Sequence, residues 1–169
     1  ELRATERPGR VRGVPANQEG RAHGYRRGQY AGGVARLEQD CGVRIPDGRL
    51  RAAMDLPSRW RQALKKVLDL ARRRPSPLRG LDLLDICFRA SFMPDYEQDI
   101  RLLEAIHAEL QDAPAAVAPD APRILLTGVP TGMGSHKVVQ LLEECGASVV
   151  CIDNCTCYKK VLLNMEEEG

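Results

Sequence analysis

The sequence is poor in aromatic residues, in net charge and in long apolar runs, and each shortage excludes something. Aromatics make up 4% of the 169 residues, with one Trp and two Phe, too few for a platform on which bases stack. Lys and Arg number 25 against 23 Asp and Glu, for a net charge of +2, so there is no bulk basic field to attract nucleic acid. No apolar run approaches the roughly 18 residues that would span a bilayer. The first thirty residues hold no apolar stretch of the kind that forms a signal peptide. Composition therefore argues against nucleic acid and membrane as partners, and the expected setting is cytoplasmic. The chain begins at Glu1 and stops at Gly169 after an acidic run, and both ends read as cuts.

Cysteine is not scarce. There are six, Cys41, Cys87, Cys145, Cys151, Cys155 and Cys157. In a reducing compartment an even count is poor evidence for a disulfide framework. Metal-ligand spacing is also missing: no CxxC pair occurs, and a zinc site would need a second CxxC or a His pair. A phosphate-cradling GxxxxGK[ST] is absent as well.

What is present falls into four stretches. Residues 1–33 carry seven Gly and seven Arg against three Glu. Such a composition buries too little surface to offset ordering entropy, and it reads as a flexible basic tail. Residues 34–112 read as a helical segment. Val34, Leu37 and Cys41 have helical spacing, with Gly42 as a stop. A loop is expected around Pro46-Asp47-Gly48, then a helical turn that is interrupted or restarted at Pro57. Ser58 is the expected cap of the next helix, whose apolar face is Trp60, Leu64, Val67, Leu68 and Ala71. Arg72-Arg73-Arg74 reads as a helix end complementing the macrodipole. Leu81–Phe88 is a second helix. Pro94 and Asp95 open a third, with Ile100, Leu103, Ile106 and Leu110 buried and Glu97, Asp99, Arg101 and Glu104 facing water. Residues 113–122 alternate Ala and Pro and form a linker.

From residue 123 the pattern is α/β. Arg123–Thr127 is a short apolar strand of the kind buried on both faces. Ser135 is the expected N-cap of a helix carrying Val138, Val139, Leu141, Leu142 and Cys145. Gly146 ends that helix, and Ser148–Ile152 is a second strand. The fold class is thus α/β: a helical segment, then the βαβ opening of a flavodoxin- or Rossmann-like parallel-sheet domain that is incomplete in this chain. In such sheets ligands bind outside the carboxyl ends of the strands, which points to residues 128–137 and 153–160.

The first of these loops holds Gly132, Gly134, Ser135 and Lys137, an arrangement that suits contact with an anionic substrate group. It gives only half of a dinucleotide fingerprint, because Lys137 stands where the third glycine belongs. The second loop reads Asp153-Asn-Cys-Thr-Cys157. Cys151 lies within the strand as a small core residue. Cys155 and Cys157 lie beyond it, where spacing alone leaves open two ordinary loop thiols or a thiolate ligand to an iron–sulfur cluster completed elsewhere. No catalytic residue is legible.

Several pieces together carry a family resemblance: Thr127-Gly-Val-Pro130, Lys137, Glu143-Glu-Cys-Gly-Ala147 and Val149-Val-Cys-Ile-Asp-Asn-Cys-Thr156 with Lys159. The chain from about residue 34 onward resembles the 2-hydroxyacyl-CoA dehydratase and benzoyl-CoA reductase subunit family, in the branch of double-cubane iron–sulfur proteins. The resemblance implies a longer protein with two flavodoxin-like domains and helices between them. It implies an iron–sulfur cluster, [4Fe-4S] or double-cubane, with Cys155 as a metal ligand and the other ligands outside this chain. It also implies a sister subunit or a second copy as partner, an ATP-dependent iron–sulfur activator protein as electron donor, and an acyl-CoA substrate. This chain alone is then expected to be inactive. Position 157 departs from the family pattern, which prefers glycine there, and Cys157 reads as an incidental thiol or a sequence error rather than a ligand. The alternatives are a metal-free Rossmann-like module binding a nucleotide or CoA, and a truncated, inactive remnant.

Overall fold

The computed structural model describes residues 20–131 and 134–162. Gly132 and most of the expected basic tail lie outside them. The chain divides into two units, residues 1–50 and 51–169.

In the first unit, α1 runs over Gly20–Cys41, so the boundary between residues 33 and 34 falls inside a helix. The helix stops as expected at Gly42, whose φ of +63° lies in the left-handed region that glycine adopts without a Cβ clash. The Val43 amide then bonds back to the Glu38 carbonyl at 3.1 Å. Tyr25, Tyr30 and Leu37 are exposed, so α1 buries little apolar surface of its own. Residues 47 and 48 are helical, not a loop, since α2 spans Asp47–Leu70. The Pro46 carbonyl starts it by accepting from the amides of Arg49 and Leu50.

Helix α2 does not break at Pro57. A proline there removes one amide donor, the partner of the Ala53 carbonyl four residues back. Ala53 is exposed, so the carbonyl left without its donor lies on the solvent side of the helix. Ser58 is consequently no cap: its hydroxyl donates to the Met54 carbonyl at 3.0 Å, one turn back. The expected apolar face is buried, with Leu64 and Val67 at zero exposure.

Helix α3 covers Gly80–Phe92 and α4 covers Tyr96–Gln111. Asp95 caps α4, accepting from the amides of Glu97 and Gln98 at 2.9 and 3.1 Å. Ile100 and Leu103 are buried as the periodicity predicts. Asp99 is not on the water-facing side. It is 2% exposed, and it accepts the indole N–H of Trp60. A buried indole needs an acceptor, and the helix turns a carboxylate inward to supply one. Arg73 of the basic run donates to the Gln111 carbonyl at 2.6 Å, at the end of α4 where orphan carbonyls gather.

Residues 113–122 contain neither helix nor strand, and the Ala116 amide is bonded to the Ser76 carbonyl at 2.9 Å. Strand β1, Arg123–Thr127, pairs in parallel with β2, Ser148–Asp153. The register runs from Arg123 opposite Ser148 to Thr127 opposite Asp153, with an irregularity between Ile124 and Leu125. Helix α5, Lys137–Glu144, connects them. The α/β expectation holds, with one correction. Leu125 is 60% exposed, so β1 is covered on one face only. Helices α3 and α5 pack against β2 and against each other.

Helix α3 approaches β2 closely through Gly80. A Cβ placed there would sit 2.5 Å from the Cβ of Val149, well inside contact. The Gly80 amide donates to the Glu143 carboxylate of α5, so one acidic side chain ties the start of α3 to the end of α5.

Candidate functional site at the strand carboxyl ends

The two strands end side by side at Thr127 and Asp153. The chain leaves each through a loop, and the loops meet. Asn154 lies between them, 3% exposed. Its Nδ2 donates to the Val129 carbonyl of the first loop at 3.5 Å. Its Oδ1 accepts from the Thr156 amide at 3.1 Å, the Thr156 hydroxyl at 2.9 Å and the Cys157 amide at 3.1 Å. A short polar side chain that binds the backbone two residues on forces a tight turn. Cys155 sits at the apex of that turn.

The six cysteines separate by environment. Cys155 is free and exposed. Cys151 is free and half-buried, and burial together with the neighbouring Asp153 pushes its thiol pKa up, which disfavours the thiolate form that metals bind. Cys157 is neither exposed nor incidental. It is fully buried and forms a disulfide with Cys87 of α3. Its sulfur is bonded to another sulfur inside the core, which the reading of an incidental thiol did not include. Sequence gave no sign of the pairing, because 70 residues separate the two.

Beyond Cys157 the chain makes a short 3₁₀ turn, Tyr158–Lys160, whose first and last residues are anchored to the helices. The Tyr158 hydroxyl donates to Asp69 at 2.8 Å. Burial and this bond raise the Tyr158 pKa. Burial works to raise the Asp69 carboxyl too, but hydrogen bonds from Lys65 and Tyr158 and the charges of Lys65 and Arg72 outweigh it and hold the pKa below the usual carboxylate range. Lys160 donates to the Ser91 hydroxyl at 2.6 Å and lies 5.1 Å from the Trp60 ring centroid. Burial lowers its pKa against the opposing charge of Asp99. Ser91 in turn donates to the Cys87 carbonyl one turn back at 2.6 Å, with the Thr156 carbonyl 3.1 Å from the same hydroxyl. Asn154, Ser91, Tyr158 and Lys160 were not singled out by sequence reasoning. Only Asn154 carried a signal, as an Asn opening a turn after a strand.

The anion-contact residues of the first loop are less assembled. Gly134 has a φ of +86°, and Gly134, Ser135 and Lys137 are all exposed. Ser135 does not cap α5, because His136 occupies the cap position and no side chain bonds there. A cavity of about 200 Å³ lies elsewhere, against Arg79, Ala118, Glu143 and Gly146.

The donor chemistry can be weighed against an iron–sulfur cluster. Such clusters take thiolates. Cys155 is an accessible, unpaired thiol at a strand carboxyl end and fits one coordination position. Among the described residues no three His, Cys, Asp or Glu side chains gather to hold a metal ion. The described residues therefore fit as the source of one ligand, not of a complete set. Also among the described residues, no helix is long and apolar enough to cross a membrane.

Comparison with known proteins agrees with the resemblance. A family model described as 2-hydroxyglutaryl-CoA dehydratase, D-component, matches residues 4–169. A curated protein of Escherichia coli (strain K12) named "Putative dehydratase subunit YjiM" is 35% identical over 135 residues. The match covers 79% of this chain and 35% of that protein. The chain thus spans about a third of the length of the curated relative.

Proposed function

The chain belongs to the 2-hydroxyglutaryl-CoA dehydratase D-component family, and from this premise we propose that it is the part of a dehydratase subunit that presents a single cluster thiolate, Cys155. One observation carries the reading: of the three cysteines at the end of β2, Cys155 alone is both exposed and unpaired, on a turn that Asn154 fixes. On this reading the substrate is a 2-hydroxyacyl thioester of CoA, which loses water to give the 2-enoyl thioester. The setting is anaerobic and cytoplasmic. A sister subunit or second copy completes the site, and an ATP-dependent activator protein delivers electrons. The related reductases, benzoyl-CoA reductase and the double-cubane proteins among them, share the same thiolate logic.

The bound cluster, [4Fe-4S] or double-cubane, supplies low-potential electrons. This chain's residues hold and orient. Asn154 sets the direction of the Cys155 backbone and links it to the first loop through Val129. Gly134, Ser135 and Lys137 stand exposed on that loop, where a cation and backbone donors suit the negative groups of a CoA thioester. Gly132 belongs to the same proposal.

The test is an anaerobic assay of the protein as it is made in its host. Activator, ATP, a low-potential reductant and a 2-hydroxyacyl-CoA are supplied, and the enoyl product is followed. The reading expects product with the natural protein and none with Cys155→Ala. Product formation undiminished in Cys155→Ala removes that thiolate from the site.

A further inference from the structure

We propose that the Cys87–Cys157 disulfide is a redox-sensitive lock on the segment 154–161, the turn that carries Cys155. Such a lock acts on the segment's mobility whether or not Cys155 binds a cluster.

The segment is tied to the helices at one covalent point and a few polar ones. Cys157 and Cys87 are both fully buried, and their bond fastens the middle of the segment to α3. The remaining ties are of another kind. Tyr158 and Lys160 are half-buried, and their bonds to Asp69 and Ser91 are made by groups in reach of water, where such bonds are individually weak. Val161 is the one further buried apolar anchor. The segment is thus held as a unit while the disulfide stands, and by marginal contacts once it opens.

The chemistry balances with a dithiol as co-reactant. One thiolate of the dithiol attacks a sulfur of the Cys87–Cys157 bond, and a mixed disulfide forms. The second thiol then displaces the chain's cysteine. The S–S bond of the protein breaks, two protein S–H groups form, and the dithiol leaves as its own disulfide with two electrons fewer. The two freed thiols, no longer bonded, must separate to non-bonded contact, and both side chains are fully buried. The pressure falls on the shorter, less anchored partner, which is the segment rather than α3. Because both sulfurs are fully buried, exchange requires a local opening first. The lock therefore responds slowly to reductant, on the timescale of that opening.

The segment contains its own reporter. Lys159 is exposed and Lys160 half-buried, so trypsin cuts there only when the backbone leaves its 3₁₀ turn. The experiment compares natural protein that has been air-oxidised with protein reduced by dithiothreitol, at equal trypsin. Cleavage after Lys159 or Lys160 is followed by mass spectrometry, and amide hydrogen exchange is read over 154–161 and over α2–α4. The lock predicts cleavage at least tenfold faster after reduction, with faster exchange confined to 154–161. Cys87→Ala leaves the segment unlocked, so its cleavage is fast in both conditions and insensitive to dithiothreitol. Equal cleavage rates in oxidised and reduced natural protein overturn the proposal. So does exchange that rises equally throughout α2–α4, which would make the bond a global staple. Failure to trap any Cys87–Cys157 bond under oxidising conditions overturns it as well.

Discussion

The Tyr158 hydroxyl donates to Asp69 Oδ1 at 2.8 Å, across 89 residues of sequence. Together with the Lys65 ammonium, 2.6 Å from Oδ2, it keeps the Asp69 carboxyl ionised below its ordinary range. A carboxyl whose folded pKa is depressed contributes stability above its unfolded pKa and loses it as pH falls through the folded value. That unfolded value is near 3.8, so the loss begins around there and continues downward. Tyr158→Phe removes one donor and brings the two pKa values closer. The expected outcome is a variant less stable than the natural chain at pH 6, with the difference shrinking by pH 3. Urea midpoints at the two pH values measure it. A difference that is constant with pH means the lost bond does not act through Asp69 ionisation.

Gly80 is where the helical segment meets the sheet. Its missing side chain lets α3 reach Val149, and an added Cβ would lie 2.5 Å from the Val149 Cβ. Both partners are backbone-borne, so neither can swing aside. Gly80→Ala is expected to cost about 1–3 kcal/mol, the usual range for overpacking. Any gain from replacing glycine in a helix, about 1 kcal/mol at most, is too small to compensate. Chemical denaturation of the variant tests this, and a stabilised Gly80→Ala would contradict the packing described.

Much of this organisation was legible in the sequence, and what was not shares a cause. The stripe Trp60, Leu64, Val67 and Leu68 and the stripe Ile100 and Leu103 follow from apolar spacing, which burial enforces directly. The βαβ unit follows from two apolar runs around a helix that ends at Gly146, whose φ is +86°. Asp99 was misread because periodicity treats every carboxylate as water-facing, while the partner that turns it inward, Trp60, lies on another helix. Pro57 was read as a break because local rules omit that an exposed helix can hand one carbonyl to water. Cys157 and Tyr158 were invisible in role, since their partners Cys87 and Asp69 are distant in the chain. Spacing left the role of Cys155 open, and only the resemblance names it as a ligand. The side chain that fixes its turn, Asn154, emerged only from geometry.

Asn154 makes a sharper prediction about the turn itself. Its buried Oδ1 serves two amides and one hydroxyl. Asn154→Ala strands the Thr156 and Cys157 amides, and an unsatisfied buried donor costs about 1–3 kcal/mol. Asn154→Asp keeps an acceptor in place and is expected to be milder. Hydrogen exchange at these two amides should accelerate at least tenfold in the alanine variant and much less in the aspartate variant. Equal exchange in both variants would mean the turn is held by other groups.

The most direct test of the central claim concerns which thiol holds iron. The natural protein, Cys155→Ala and Cys157→Ser are each reconstituted anaerobically with iron and sulfide, then compared for bound iron and for the electron paramagnetic resonance of the reduced state. Iron and a cluster signal are expected in the natural protein, with both lost in Cys155→Ala and both retained in Cys157→Ser, whose sulfur belongs to the core. Full iron with an unchanged signal in Cys155→Ala, or loss in Cys157→Ser equal to that in Cys155→Ala, would contradict it.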